Sequence, residues 1–196
     1  MPVVTALRER PRDRVEVELD GVPWRLVPAE ALVRSGLSVG RALDREAART
    51  LGRELRRAEA LGIALRALRH RDLSRSRLEE RLSRRGARAE AQTDALEALE
   101  RAGLVDDVRV ASSRAEALAA RGYGDAAIRF ALEGEGLAAE LVAEALAGLE
   151  PEAVRAGKLL DHRGRGPASV RWLASRGFDP GSLEDVAGFA DEAWPR

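Results

Sequence analysis

The sequence predicts a mainly α protein: three tandem three-helix repeats forming an elongated, curved solenoid, with a small N-terminal β-hairpin extension. Ala, Leu, Arg and Glu, all good helix formers, dominate the 196 residues, while aromatics are only 4% and leave little material for a large sheet. Self-similarity is the second observation. Gly86, Gly136 and Gly177 each end an apolar-periodic run, with Leu82, Leu132 and Leu173 four residues earlier. The third is helix–turn–helix punctuation from Ala98 to Gly136, where Gly103, Gly122 and Gly136 break three successive helical runs.

Taken in order, Val15, Val17 and Leu19 alternate with charged residues, as in a half-buried strand. Asp20-Gly21 then predicts a tight hairpin turn into VPWRLV, where Val22, Trp24 and Leu26 share a face. Residues 3–8 also have strand-like content, and Pro28 to Arg34 reads as a short helix stopped near Gly36. Asp44 is the N-cap of a long helix running to about His70, with a stripe of Leu51, Leu55, Ala58, Gly62, Leu65 and Leu68.

Eight residues before the anchor glycines stand Leu78, Ile128 and Ser169, the last with Val170 beside it as the apolar residue. One residue after them come Ala87, Leu137 and Phe178. Ser74, Gly124 and Gly166 open the corresponding helices, and Pro167 falls at a first helical position, where its missing N–H costs nothing. Leu73 with Leu78 and Tyr123 with Ile128 have the spacing of a hydrophobic staple. Four segments follow: an extension over 1–43, the long helix and first repeat over 44–103, the second repeat over 104–149 and the third over 150–196. Each repeat has too little apolar surface to stand alone and buries it by stacking.

Net charge is zero, but it is split: residues 1–103 carry 22 arginines against 17 acids, and residues 104–196 the reverse imbalance. The excess concentrates in Arg66, Arg69, Arg71, Arg75, Arg77, Arg81, Arg84, Arg85 and Arg88, with only Asp72, Glu79 and Glu80 among them. Arg77, Arg81, Arg84 and Arg88 fall at helical spacing on one stripe. A planar guanidinium fork suits phosphate or carboxylate equally, so the ridge reads as a partner-binding surface for a filament or DNA phosphate. A solvated face in a chain whose cations are nearly all Arg has the same pattern; confinement to one repeat favours the binding reading. No aromatics interleave with these arginines, so contact there is to backbone rather than to bases.

Catalysis finds little footing. There is no cysteine, only His70 and His162, and no GxxxxGK[ST], HExxH or GxSxG motif. No catalytic residue, metal or cofactor is expected. Asp106-Asp107 reads as a helix start, His162-Arg163-Gly164-Arg165-Gly166 as a helix end, and Trp172 and Trp194 as packing residues. No stretch has the length of a membrane span, and the N-terminus lacks the apolar centre of a signal peptide, so a cytoplasmic monomer without membrane contact is expected.

Three motifs in order carry a resemblance to a known family. These are LSRSRLEERLSRRG at 73–86, Ala102-Gly103-Leu104-Val105-Asp106-Asp107, and Arg121-Gly122-Tyr123-Gly124. With the hairpin and PAEALVRSGLSVGRAL before them, the chain resembles the RecX family of bacterial recombinase regulators over essentially its whole length. It departs from the family pattern at Glu133-Gly134-Glu135-Gly136, where a basic residue usually precedes the glycine, and at Val110, where an aromatic is usual. The resemblance implies a non-enzymatic protein that lies in the groove of a RecA filament on single-stranded DNA. There it would block filament growth, ATP hydrolysis, strand exchange and co-protease activity. The residues alone leave two alternatives: a helical-repeat module that binds nucleic acid directly without a recombinase target, and a protein-only scaffold.

Overall fold

A computed structural model describes residues 1–187. Among them are three strands, β1 (Val4–Arg10), β2 (Arg14–Leu19) and β3 (Val22–Pro28), and ten helices. The helices are α1 (Ala29–Ser35), α2 (Arg45–Leu68), α3 (Arg75–Arg84), α4 (Ala89–Arg101), α5 (Asp107–Ala120), α6 (Asp125–Gly134), α7 (Ala139–Ala147), α8 (Glu152–Arg163), α9 (Pro167–Ser175) and α10 (Pro180–Ala187). Trp194 lies outside the described residues. The chain forms two compact units: Met1–Asp72 with Leu78–Val105, and Leu73–Arg77 with the chain from Asp106 onward.

In the first unit the strands pair antiparallel in the order β1-β2-β3, so the hairpin gains β1 as a third strand. Asp20 and Gly21 both adopt positive φ, at 48° and 79°, the backbone of the tight turn that Asp-Gly favours. Val15, Val17 and Val27 turn inward with Val4, Leu32, Leu37, Ala47 and Leu51. The face shared by Val22, Trp24 and Leu26 does not form. β3 carries a bulge: Glu18 pairs with Pro23 and Val17 with Arg25, so Trp24 is the extra residue and alternation breaks there. Val22, Trp24 and Leu26 are all exposed.

Asp44 caps α2 by accepting from the Ala47 N–H at 2.7 Å. Leu51 is buried as expected, but beyond it the buried apolar residues are Ala60, Ala64 and Ala67, while Leu65 is 43% exposed. The single Leu stripe is thus replaced by two faces. The first half of α2 packs under the sheet and α1, and the second half packs on α4, on a face of small residues. Arg34 Nε bonds Glu54 at 2.8 Å, and nearly buried Arg57 bonds Glu30 at 2.9 Å, tying α1 to α2. The Glu54 hydrogen bond and charge raise the Arg34 pKa above its ordinary value.

The repeated glycines form one structure. At Gly86, Gly136 and Gly177, φ is 74°, 73° and 82°. The next residue donates back to the carbonyl of Leu82, Leu132 or Leu173, at 3.1, 3.4 and 3.3 Å. This is the closing motif that a left-handed residue permits, and it satisfies carbonyls at the helix end. Leu78, Leu82, Ile128, Leu132, Val170 and Leu173 are all buried, so each middle helix (α3, α6, α9) turns its leucine face inward. In the third, Val170 takes the inward place and not Ser169, which is only partly buried.

In the second unit, the core of α5–α7 is built on Val110, Ala115, Ile128, Leu132 and Val142. That of α8–α10 is built on Ala156, Leu160, Val170, Leu173, Phe178 and Leu183. The middle helices meet end to end. Gly124 N–H donates to Arg176 O at 2.9 Å and Ala126 N–H to Gly177 O at 3.1 Å, so α6 starts where α9 closes. The start of α3 meets the close of α6 in the same way: the Ser74 hydroxyl donates to Glu135 O at 2.6 Å. Donors left over at a helix start meet acceptors left over at a helix end, with dipoles aligned.

Candidate functional site: an arginine-rich surface

The nine arginines of the sequence ridge do not share one environment. Arg66 lies near the end of α2, and Arg69 and Arg71 lie in the turn that follows; all three are exposed. Arg75 and Arg77 are half-buried and engaged. The Arg75 N–H donates to Asp107 Oδ1 at 2.8 Å. The Arg77 guanidinium donates to the Gly134 carbonyl and to Glu135 Oε2, the latter at 3.4 Å. Arg114 reaches the other oxygen of Glu135 at 3.2 Å. The acidic departure at the end of the second repeat is therefore an anchor for two arginines.

Arg81 is exposed, and Arg84 is exposed but paired with Glu80 one turn back. Arg85 is exposed in the turn after α3. Arg88 is not on the stripe with Arg77, Arg81 and Arg84, because α3 ends at Arg84 and the chain reverses at Gly86. It stands instead as the N-cap of α4. The surface part of the ridge is thus Arg81, Arg84 and Arg85 with Arg66, Arg69, Arg71 and Arg88, and Arg77 serves a junction between helices.

A second group of arginines was not singled out in the sequence. Between β3 and α2 runs a groove of about 470 Å3, lined by Arg14, Arg25, Arg56 and Arg66 with Glu59 its only acid. It shares Gly52 and Arg56 with a second hollow of about 780 Å3, lined by Arg45, Arg49, Arg53 and Arg88 together with the acids Glu46 and Glu90. Arg45, Arg49, Gly52 and Arg56 follow steps of 4, 3 and 4 and so share one face of α2. That spacing is legible in the sequence, on the same helix as the apolar stripe.

The remaining features are structural. Asp106 caps α5 by accepting from Arg109 N–H at 3.0 Å. Asp107, besides opening that helix, holds the start of α3; Glu152 does the same for α6, accepting from Asp125 N–H at 2.6 Å. Arg155, nearly buried, donates to the carbonyls of Tyr123 and Glu150 and to the Asp125 carboxylate. Arg176 lies between the rings of Tyr123 and Trp172, at 4.8 and 4.7 Å, and Arg163 covers Trp172 at 4.0 Å. Arg165 bonds Val186 O and Asp161 near the end of α8, as a helix-end reading requires. Among the described residues no group of three potential ligands gathers for a metal, and no helix is long and apolar enough to cross a membrane.

No family model matches the chain. Curated relatives do. A regulatory protein RecX of Chromohalobacter salexigens is 37% identical over 140 residues, 67% of this chain and 90% of the relative. Another of the same name from Thermus thermophilus is 37% identical over 139 residues, covering 70% and 91%. One from Xanthomonas oryzae is 31% identical over 156 residues, covering 74% and 98%. Among solved structures, a crystal structure of regulatory protein RecX superposes with a TM-score of 0.82 at 21% identity, covering 96% of this chain and all of the other. That of RecX from Lactobacillus salivarius gives 0.59 at 16% identity, covering 68% and 95%. These last two establish likeness of fold, and with it the helical-repeat architecture.

Proposed function

The chain belongs to the RecX family of regulatory proteins, and from that premise we propose that it binds the filament a RecA recombinase forms on single-stranded DNA and restrains it. Binding slows filament growth, ATP hydrolysis and strand exchange, and so modulates recombination and DNA repair. The protein acts by binding and not by catalysis, as a cytoplasmic monomer.

The observation that carries this reading is relatedness to regulatory proteins at 31–37% identity over most of the chain. The exposed arginines Arg66, Arg69, Arg71, Arg81, Arg84, Arg85 and Arg88 support it, because their forks suit the phosphates or carboxylates of a nucleoprotein filament. The test is recombinase ATP hydrolysis on single-stranded DNA, titrated with purified protein. Inhibition at substoichiometric ratios to recombinase is the expected result; unchanged hydrolysis at excess would refute it.

A further inference from the structure

We propose that the groove between α5 and α6 is a socket for an aromatic side chain with a carboxylate beside it, presented by a protein partner.

The third repeat shows what fills such a groove. Gly122 and Gly164, at φ 76° and 88°, stop α5 and α8, and Gly136 and Gly177 stop α6 and α9. Counting back from these paired glycines sets Leu159 of the third repeat against Ala117 of the second, Trp172 against Ala131, and Arg163 against Arg121. Leu159 and Trp172 pack on the core that holds Leu160 and Leu173. The Arg163 guanidinium covers the indole at 4.0 Å from its centre. In the second repeat the leucines beneath, Leu118 and Leu132, are kept, but both large side chains are cut back to methyl groups.

The space they vacate is open. A groove of about 200 Å3 is walled by Ala117, Leu118, Ala131 and Leu132 and edged by Arg114, Arg121 and Glu135. That is below the roughly 300 Å3 at which small-molecule sites begin, and on the scale of one large side chain.

Charge sets the company this side chain keeps. Glu135 is already engaged by Arg77 and Arg114. Arg121 has no carboxylate within ion-pairing distance among the described residues, and its guanidinium is held 5.5 Å from the centre of the Tyr123 ring. A ring entering the groove meets Arg121 as Trp172 meets Arg163, and a carboxylate beside that ring pairs the fork that lacks an acid. A nucleobase could fill the same volume, but it brings a chain of phosphates. Residues 104–149 carry eight acids against four arginines, a balance that repels a polyanion and accepts a single carboxylate at Arg121.

The experiment titrates acetyl-Trp-Glu-amide into the full chain and follows the Ala117 and Ala131 methyl resonances by NMR, beside Ala131→Trp and Arg121→Gln variants. Saturable shifts of both methyls at millimolar peptide are the expected result. Ala131→Trp fills the socket from within and is expected to weaken binding by about ten-fold or more, the scale of losing a buried anchor. Its thermal melt should stand at or above that of the unaltered protein, as the third repeat's own arrangement requires. Arg121→Gln is expected to weaken binding by about three-fold, the scale of one exposed cation over a ring, with the melt unchanged. Absent shifts, unaltered affinity in either variant, or a lowered melt for Ala131→Trp each overturn the proposal. So do acetyl-Ala-Glu-amide or acetyl-Trp-Gln-amide binding as tightly as the probe, or a short oligo(dT) moving the same methyls at lower concentration. No recombinase takes part in these measurements, so their failure and the failure of the regulatory role are separate results.

Discussion

The backbone N–H of Gly124 donates to the carbonyl oxygen of Arg176 at 2.9 Å, joining the start of one middle helix to the close of another. The approach leaves no room for a side chain, since a Cβ at Gly124 would overlap the backbone of Gly177 and Phe178. Gly124→Ala is therefore expected to destabilise by about 3 kcal/mol, the upper range for overpacking against backbone that cannot yield. Urea unfolding read by circular dichroism checks this, and a change under 1 kcal/mol would contradict the junction.

Leu82 is fully buried, whereas Phe130 is 80% exposed. Leu82→Ala is expected to cost about 2–5 kcal/mol through lost transfer energy and a residual cavity. Phe130→Ala, though it removes a larger side chain, should stay within about 0.5 kcal/mol. The same unfolding experiment ranks the two, and reversal of their order would contradict the burial pattern.

For the proposed regulatory role, Arg81→Glu/Arg84→Glu/Arg85→Glu is the informative triple variant. All three residues are exposed, and the Arg84–Glu80 ion pair is a surface pair worth only about a few tenths of a kcal/mol. Inhibition of recombinase ATP hydrolysis should be lost while the melting curve is kept. Full inhibition by this variant would exclude the α3 arginines from the interface. Arg77 is left out because Arg77→Glu would set one carboxylate against Glu135 and break a junction.

Gly52→Ala and Gly62→Ala are each expected to stabilise by roughly 0.5–1 kcal/mol, since both residues are within a helix and the added Cβ meets only a mobile guanidinium at 3.4 Å. A thermal melt of each variant tests it; destabilisation would show that the backbone there needs glycine for packing.

Arg155 is nearly buried and gives its donors to Tyr123 O, Glu150 O and Asp125. Arg155→Met should cost about 3 kcal/mol, because it leaves those acceptors unmet in a partly buried setting. Equilibrium unfolding measures the loss, and a neutral outcome would mean water replaces the guanidinium without penalty.

What was legible in the sequence follows the range of the interaction. Asp20-Gly21, Asp44, Pro167 and the anchor glycines act through their own backbone or the next turn, and each was readable. The leucines before those glycines were readable because one helix face has one period. The α2 stripe was misread beyond Leu51 because that helix serves two cores on different faces, which a single period cannot express. Arg77 looked like surface because its partners, Gly134 and Glu135, are nearly 60 residues away. The Trp24 bulge depends on register with β2 and has no local signature.

Pro167 sets the third middle helix apart from the other two. Arg75 and Asp125, at the first positions of their helices, each offer an N–H that a carboxylate from a later helix accepts. Pro167 holds the matching position in α9 and has no hydrogen there to give. The carboxylate latch that holds the starts of α3 and α6 therefore has no counterpart at the start of α9, where a fixed ring replaces the hydrogen it would grip.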